Sequence, residues 1–403
     1  MTADHANPRR RLALVIEHLD PLAGGAERNV VELADHFTRR GDAVTILTAG
    51  CPADLTLPGI AIDSAELGRP KNSGRLLRFT RWAAARLASG DFDASLSATM
   101  SVPATVVQPL AGTMRETLQR NVALRDHLPA RLLKQTTAAL RPKYRTLLAL
   151  ERRTATSSDV FRFAAISRYV AEQLQRHYDV PAERIEVTPA AVEVPDVDDA
   201  TRAADRQLIR SSFDIADDPV VYLFAAFNAR LKGIVPLMHA MQRLKQRDLP
   251  ALLLVAGPLS HHWHDLAVRL GVRDRVRFVG TTQEMDRLYH AVDVAAVPSY
   301  YDSAGRIIVE ALLRGIPAIS TRYAGASDMI RRADGRLAGR VLDDPADVDA
   351  LAQAMAELAD PAERVRCAAA AEGLAAEVSM QRHMDQLDAM LVAAVAQKKK
   401  PTD

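Results

Sequence analysis

The sequence predicts an α/β protein built from two doubly wound parallel sheets, and three observations predict it. The chain has 403 residues, enough for two domains of ordinary size, each with its own core. Short uninterrupted apolar runs such as 12–16 (LALVI) and 220–224 (VVYLF) alternate with amphipathic stretches of helical period. Such runs suit strands covered on both faces, and their alternation with helices points to parallel sheets with βαβ crossovers. An acidic, polar stretch from Pro195 to about Asp218 separates two series of this kind and reads as an interdomain crossover.

Taken in order, residues 12–16 are the first strand. A loop over 18–25, with Pro21 and the pair Gly24-Gly25, leads into a helix over 26–40, and 44–47 is the second strand. The chain thus opens as a βαβ unit, without the GxGxxG dinucleotide fingerprint. The glycine pair is either turn chemistry or room for a substrate to approach the backbone. Further strands fall at 61–62, 94–98, 104–107, 163–166 and 185–187, with helices over 76–87 and from Ser167, as cap, to Tyr178. In the second series, strands fall at 220–224, 252–255, 276–279, 294–297 and 316–320; helices cover 235–247 and 284–291, and one starts near Ser303. The Ala-rich tail, 345–396, is helical. The expected division is an N-terminal domain over 1–190, a linker over 191–217, a C-terminal domain over 218–375, and a helix over 376–403 that returns to the N-terminal domain.

Composition narrows the class. A net charge of +2 names no partner, and Cys51 and Cys367, far apart, give neither a disulfide framework nor a zinc site. The apolar run after Arg9, Arg10 and Arg11 is too short for a signal peptide, and no run approaches the roughly 18 apolar residues of a membrane span. A cytoplasmic protein is the expectation. The segment 113–153 differs from the rest, with ten bases against three acids, an excess of +7, and leucines interleaved. It reads either as a surface for an anionic membrane or acceptor, at the inner face of the cell membrane, or as a solvated arginine-rich face. It has almost no aromatics to stack on bases, which argues against nucleic acid.

The stretch with most chemistry is 297–310, VPSYYDSAGRIIVE. It reads as strand end, loop and helix, so the amides of Ser303, Ala304, Gly305 and Arg306 would lie at a helix N-terminus that carries roughly half a positive charge and suits a phosphate. Asp302 at its mouth is a candidate N-cap or ligand contact, and Glu310 a candidate for vicinal hydroxyls. Arg230 and Lys232, after the strand at 220–224, suit a diphosphate: a fork and a movable point charge.

Acid-x7-Glu followed by Ala-Leu-Leu-Arg-Gly-Ile-Pro resembles the signature of the retaining family-4 glycosyltransferases, which have the GT-B fold: two Rossmann-like domains facing a central cleft. Gly24-Gly25-Ala26-Glu27-Arg28 is similar to their Gly-Gly-x-Glu-Arg element, and Arg230-Leu231-Lys232-Gly233 to their donor loop. Tyr-Asp-Ser-Ala-Gly at 301–305 and the arginine-rich helices before Ser167-Arg168-Tyr169 bring it nearest to the lipopolysaccharide core glucosyltransferase I group. The resemblance implies transfer of a hexose, with retention and without a metal or other cofactor, from a nucleotide sugar of the UDP-glucose kind to a glycan or lipid-linked acceptor. In it, Arg230 and Lys232 neutralise the leaving diphosphate, and Glu310 holds the ribose. Asp302 with the amides of 303–306 grips the sugar and β-phosphate, and Gly24-Gly25 approaches the donor. The family usually has Glu where this chain has Asp302, and often a His or Asp near Pro109, where this chain reads Gln108-Pro109-Leu110-Ala111-Gly112-Thr113. The alternative is a GT-B scaffold that binds a nucleotide sugar or a partner without turnover.

Overall fold

The apolar runs become strands because each is covered on both faces: Leu12, Ala13, Leu14, Val15 and Ile16 are all buried in β1 (Arg11–Ile16). In this computed structural model, which describes residues 9–21, 25–125, 141–258 and 260–398, the chain divides into two compact units. One comprises Met1–Pro189 with Gln381–Asp403, the other Ala190–Met380.

The first unit holds β1, β2 (Ala43–Thr48), β3 (Ile60–Ser64), β4 (Ala94–Ser97), β5 (Val106–Val107), β6 (Arg162–Ala165) and β7 (Ile185–Val187) in the parallel order β3-β2-β1-β4-β5-β6-β7. Its helices are α1 (Gly25–Arg39), α2 (Ser73–Ala88), α3 (Met114–Ala123), α4 (Pro142–Thr156) and α5 (Arg168–Tyr178). The second unit holds α6 (Asp199–Ser212), then β8 (Val220–Ala225), α7 (Ile234–Gln246), β9 (Ala251–Ala256), α8 (His261–Arg269), β10 (Val276–Gly280), α9 (Met285–Ala291), β11 (Val294–Ala296), α10 (Arg306–Leu313), β12 (Ala318–Thr321), α11 (Ser327–Ile330), β13 (Gly339–Leu342), α12 (Val348–Glu357), α13 (Pro361–Ala370) and α14 (Leu374–Glu377). Its sheet is parallel in the order β10-β9-β8-β11-β12-β13. The last helix, α15 (Met380–Lys398), packs in the first unit.

The structure corrects the linker expected at 191–217. Most of it is α6, part of the second unit. Two of the acids that suggested a solvated crossover have structural partners: the Asp198 side chain accepts from Thr201 N at 2.7 Å as the N-cap, and Asp205 meets His290 Nδ1 at 2.9 Å. Arg206 and Arg210 reach Asp293 at 2.9 and 3.0 Å, while Ile209 and Ile215 are buried.

Two acids of the basic segment are internal staples. Glu116, fully buried, accepts from Tyr169 Oη at 2.8 Å and meets Arg120, Arg176 and His177 at 2.8, 2.7 and 2.6 Å. Burial alone would raise its pKa, but the bonds from His177 and Tyr169 and the two guanidinium charges outweigh it and hold the carboxyl at about 2. Buried Glu151 caps α3, accepting from the amides of Met114 and Arg115 at 2.7 and 3.2 Å and from the Tyr178 hydroxyl. Arg115, Arg141, Lys143, Arg145, Arg152 and Arg153 are left exposed, while residues 126–140 of the segment lie outside the described residues. Among the described residues, no helix is long and apolar enough to cross a membrane.

Candidate active site

In the second unit the strand order reverses between β8 and β11, the kind of point where open α/β sheets bind ligands beyond the carboxyl ends of their strands. The two loops that leave these strands, 226–233 and 297–305, carry Arg230, Lys232 and Asp302. They are tied together: Tyr300 N donates to Leu231 O at 2.9 Å. Gly233, at φ 89°, lies so close that a Cβ would come 2.1 Å from the Pro298 carbonyl oxygen, so no larger residue fits without moving a loop. From this fixed backbone Lys232 Nζ lies 2.5 Å from Asp302 Oδ2 and donates to Tyr301 O at 3.2 Å. Arg230 is exposed, and its guanidinium has no ion-pair partner among the described residues.

Asp302 uses both oxygens within this corner, because Oδ1 accepts from Gly305 N at 2.9 Å and from Ala304 N at 3.3 Å. This corrects the expectation of four open amides at 303–306. The helix begins at Arg306 rather than near Ser303, since Gly305, at φ 76°, ends a turn that Asp302 closes. In the first turn of α10 the amides of Arg306 and Ile307 are those that helix geometry leaves for an outside acceptor. Glu310 follows one turn later, its Oε1 receiving Arg306 Nε at 2.7 Å and its Oε2 receiving Tyr289 Oη at 2.8 Å. Tyr289 lies on a different helix, and no spacing in the sequence pairs it with Glu310.

The structure thus gathers Lys232, Asp302, Ser303, Ala304, Gly305, Arg306 and Glu310 in one corner, with Arg230 on the adjoining loop. Gly25 begins α1 in the first unit, and a Cβ built on it meets nothing within 4 Å; packing in that unit does not demand glycine there. Gly24 lies outside the described residues.

The first unit reverses its order between β1 and β4, and a cavity of about 330 Å³ lies there, lined among others by Glu17, His18, Thr99, Ser101, Leu110 and Glu151. Thr99 Oγ1 donates to Glu17 Oε1 at 2.6 Å. The loop after Gln108 borders this cavity, and its start is fixed from α15: Gln108 Nε2 donates to His383 Nε2 at 3.2 Å, while His383 Nδ1 donates to Pro189 O at 2.8 Å. Burial lowers the His383 pKa and keeps the ring neutral. No local signal in the sequence linked any of these residues.

With this geometry in hand, two family models match the chain: Glycosyltransferase Family 4 over residues 23–195 and Glycosyl transferases group 1 over residues 205–378. The chain is a glycosyltransferase. Its relatives include the D-inositol 3-phosphate glycosyltransferase of Salinispora tropica, 28% identical over 80% of this chain and 73% of the relative. The lipopolysaccharide glucosyltransferase WaaG of Escherichia coli is 25% identical over 51% of this chain and 55% of the relative. Among solved structures, WaaG superposes with a TM-score of 0.72 at 20% identity, over 94% of this glycosyltransferase and 99% of that chain. Anabaena HepE, solved with UDP and glucose, superposes with a TM-score of 0.65 at 17% identity, over 96% and 100%. The glycosyltransferase therefore has the GT-B fold, as the resemblance implied.

Proposed function

We propose that this glycosyltransferase moves a hexose, with retention, from a UDP-sugar of the UDP-glucose kind to a glycan or lipid-linked acceptor of the cell envelope, with no metal. The observation that carries this reading is the corner itself: Lys232 and the first turn of α10 lie at a strand-order reversal, with Glu310 in that turn's reach and Arg230 on the adjoining loop. HepE was solved with UDP-glucose, and WaaG and the inositol-phosphate enzyme are named as sugar transferases; both support a sugar nucleotide here.

As the bond from the anomeric carbon to the β-phosphate oxygen breaks, negative charge grows on the diphosphate. Lys232, Arg230 and the amides of Arg306 and Ile307 then stabilise the transition state more than the ground state. Glu310 holds the ribose hydroxyls, and the leaving phosphate oxygen accepts the proton of the incoming hydroxyl. Asp302 grips the sugar with whatever acceptor capacity its loop bonds leave. Gly24 and Gly25 let the donor approach α1, and the cavity beside Glu17 takes the acceptor. The exposed bases of α3 and α4 hold the protein to an anionic membrane on its cytoplasmic side, which salt-sensitive sedimentation with anionic vesicles tests.

Asp302, with both oxygens engaged internally, favours one competing reading, a scaffold that binds the nucleotide sugar without turnover. Release of nucleoside diphosphate from UDP-glucose, UDP-galactose, UDP-N-acetylglucosamine and GDP-mannose, by wild type, Lys232→Ala and Glu310→Ala, decides between them. Turnover lost in both variants is expected; equal release from all three proteins removes these residues from the site, and no release with any donor favours the scaffold.

A further inference from the structure

We propose that Tyr289 is a positioning residue that sets nucleotide specificity, by holding the Glu310 carboxylate in the orientation that grips a ribose. The inference rests on Glu310 as the ribose contact. Tyr289 stands on α9 with its ring buried, 1% exposed, and the Arg314 guanidinium lies 4.6 Å from the ring centroid. Arg314 also donates to the Glu310 carbonyl at 3.0 Å and pairs with Asp286 on α9. Tyr289, Glu310 and Arg314 thus staple α9 to α10, and the phenol has no room to turn away.

The phenol has one proton to give and two acceptors in reach, Glu310 Oε2 at 2.8 Å and the Ile307 carbonyl at 3.3 Å. The shorter bond goes to the charged oxygen, as expected for a charge-assisted pair. Burial, and then the Glu310 charge, push the phenol pKa well up, so Tyr289 stays a donor throughout the working pH range. The other Glu310 oxygen is held by Arg306, whose side chain is 52% exposed against 16% for Glu310. Arg306 sits at the mouth of α10 and can swing to a phosphate; Tyr289 cannot leave. When a diphosphate draws Arg306 away, the bond that fixes the carboxylate is the one from Tyr289. Each carboxylate oxygen has a second lone pair, and a fixed plane directs these at a vicinal diol.

The test is binding of UDP against 2′-deoxy-UDP by calorimetry, in wild type, Tyr289→Phe, Glu310→Gln and the double variant. Wild type is expected to prefer UDP by roughly tenfold, the worth of a hydrogen bond to a charged group. Tyr289→Phe is expected to bring that preference down to about twofold while 2′-deoxy-UDP affinity changes little, and to have no further effect in the Glu310→Gln background. A 4-aminophenylalanine at 289, which keeps a donor on the same ring, is expected to retain the preference. A preference in Tyr289→Phe equal to wild type, while Glu310→Gln loses it, overturns the role of Tyr289. So does additivity of the two substitutions. Should the phenylalanine protein not fold, loss of the preference in the 4-aminophenylalanine protein overturns it too. A wild type with no preference for UDP instead removes Glu310 from the ribose, and the proposal falls with its premise.

Discussion

Each sheet reverses its strand order once, at β1/β4 in the first unit and at β8/β11 in the second, and the two places are built differently. At β8/β11 the backbone is locked by glycines against carbonyls, and the side chains are basic or acidic groups held on one another, Lys232 on Asp302 and Arg306 on Glu310. At β1/β4 there is a cavity instead, largely apolar, with the Glu17–Thr99 pair on its wall and a bordering loop fixed by neutral amide–imidazole contacts. The first arrangement suits a ligand of fixed negative charge; the second lines its space with apolar surface and with side chains of both signs, among them Glu17, Arg69 and Lys143.

Removing the central charge is the strongest way to break that contrast. Lys232→Ala is expected to lower kcat/KM by about 10³-fold, as loss of one preorganised transition-state donor does, without changing the urea midpoint; a loss under tenfold would take the diphosphate away from this corner.

Lys232 and Arg230 stood out as candidates because strand-end loops with clustered charge have few purely structural uses, and Glu310 because it stands at a fixed distance behind Asp302 in the segment that leaves β11. The twofold use of Asp302 was not legible: cap and ion pair both demand a carboxylate at that position. The acids of α6 misled for the same reason, since an N-cap such as Asp198 looks like a solvated turn until the helix behind it is seen. In the first unit, the contact of Gln108 with His383 spans a sequence separation of 275, and no local pattern announces it.

A second test concerns stability in the first unit. Glu116→Gln is expected to destabilise the protein by about 3 kcal/mol at pH 7, the linkage of a carboxyl moved from 4.5 when unfolded to about 2 when folded. Because the folded pKa is the lower one, this stability is present above about 4.5 and lost as pH falls towards 2. Urea unfolding of wild type and variant should therefore converge over that window; a constant gap would rule out the charge as its source.

The contrast sharpens with one carboxamide in each crevice. Glu310→Gln is expected to weaken UDP binding by roughly tenfold, whereas Glu17→Gln should leave UDP binding unchanged and lower transfer to acceptor relative to donor hydrolysis. Weaker UDP binding in Glu17→Gln would mean that its crevice holds donor. The smallest effect is expected from Gly25→Ala, within about 0.5 kcal/mol in stability and visible only in turnover. Gly233→Ala, at φ 89° and in collision with Pro298, should cost about 2 kcal/mol or more; equal thermal shifts in the two alanine variants would contradict the difference in packing.

The return of α15 to the first unit has a consequence for how the protein is made. Arg10, just before β1, is bidentate to Asp42, and the same guanidinium reaches Asp388 at 2.5 Å. His383 supports the Gln108 loop in the same way. The second unit is continuous from Ala190 to Met380 and can close as soon as it is translated. The first must hold an unfinished polar interior for the ten to forty seconds or so that synthesis of the intervening chain takes at about 5–20 residues per second. The unit translated first is the last to mature, and a chain cut short before α15 would yield a complete second unit beside a first one that chaperones and proteases still recognise as unfinished.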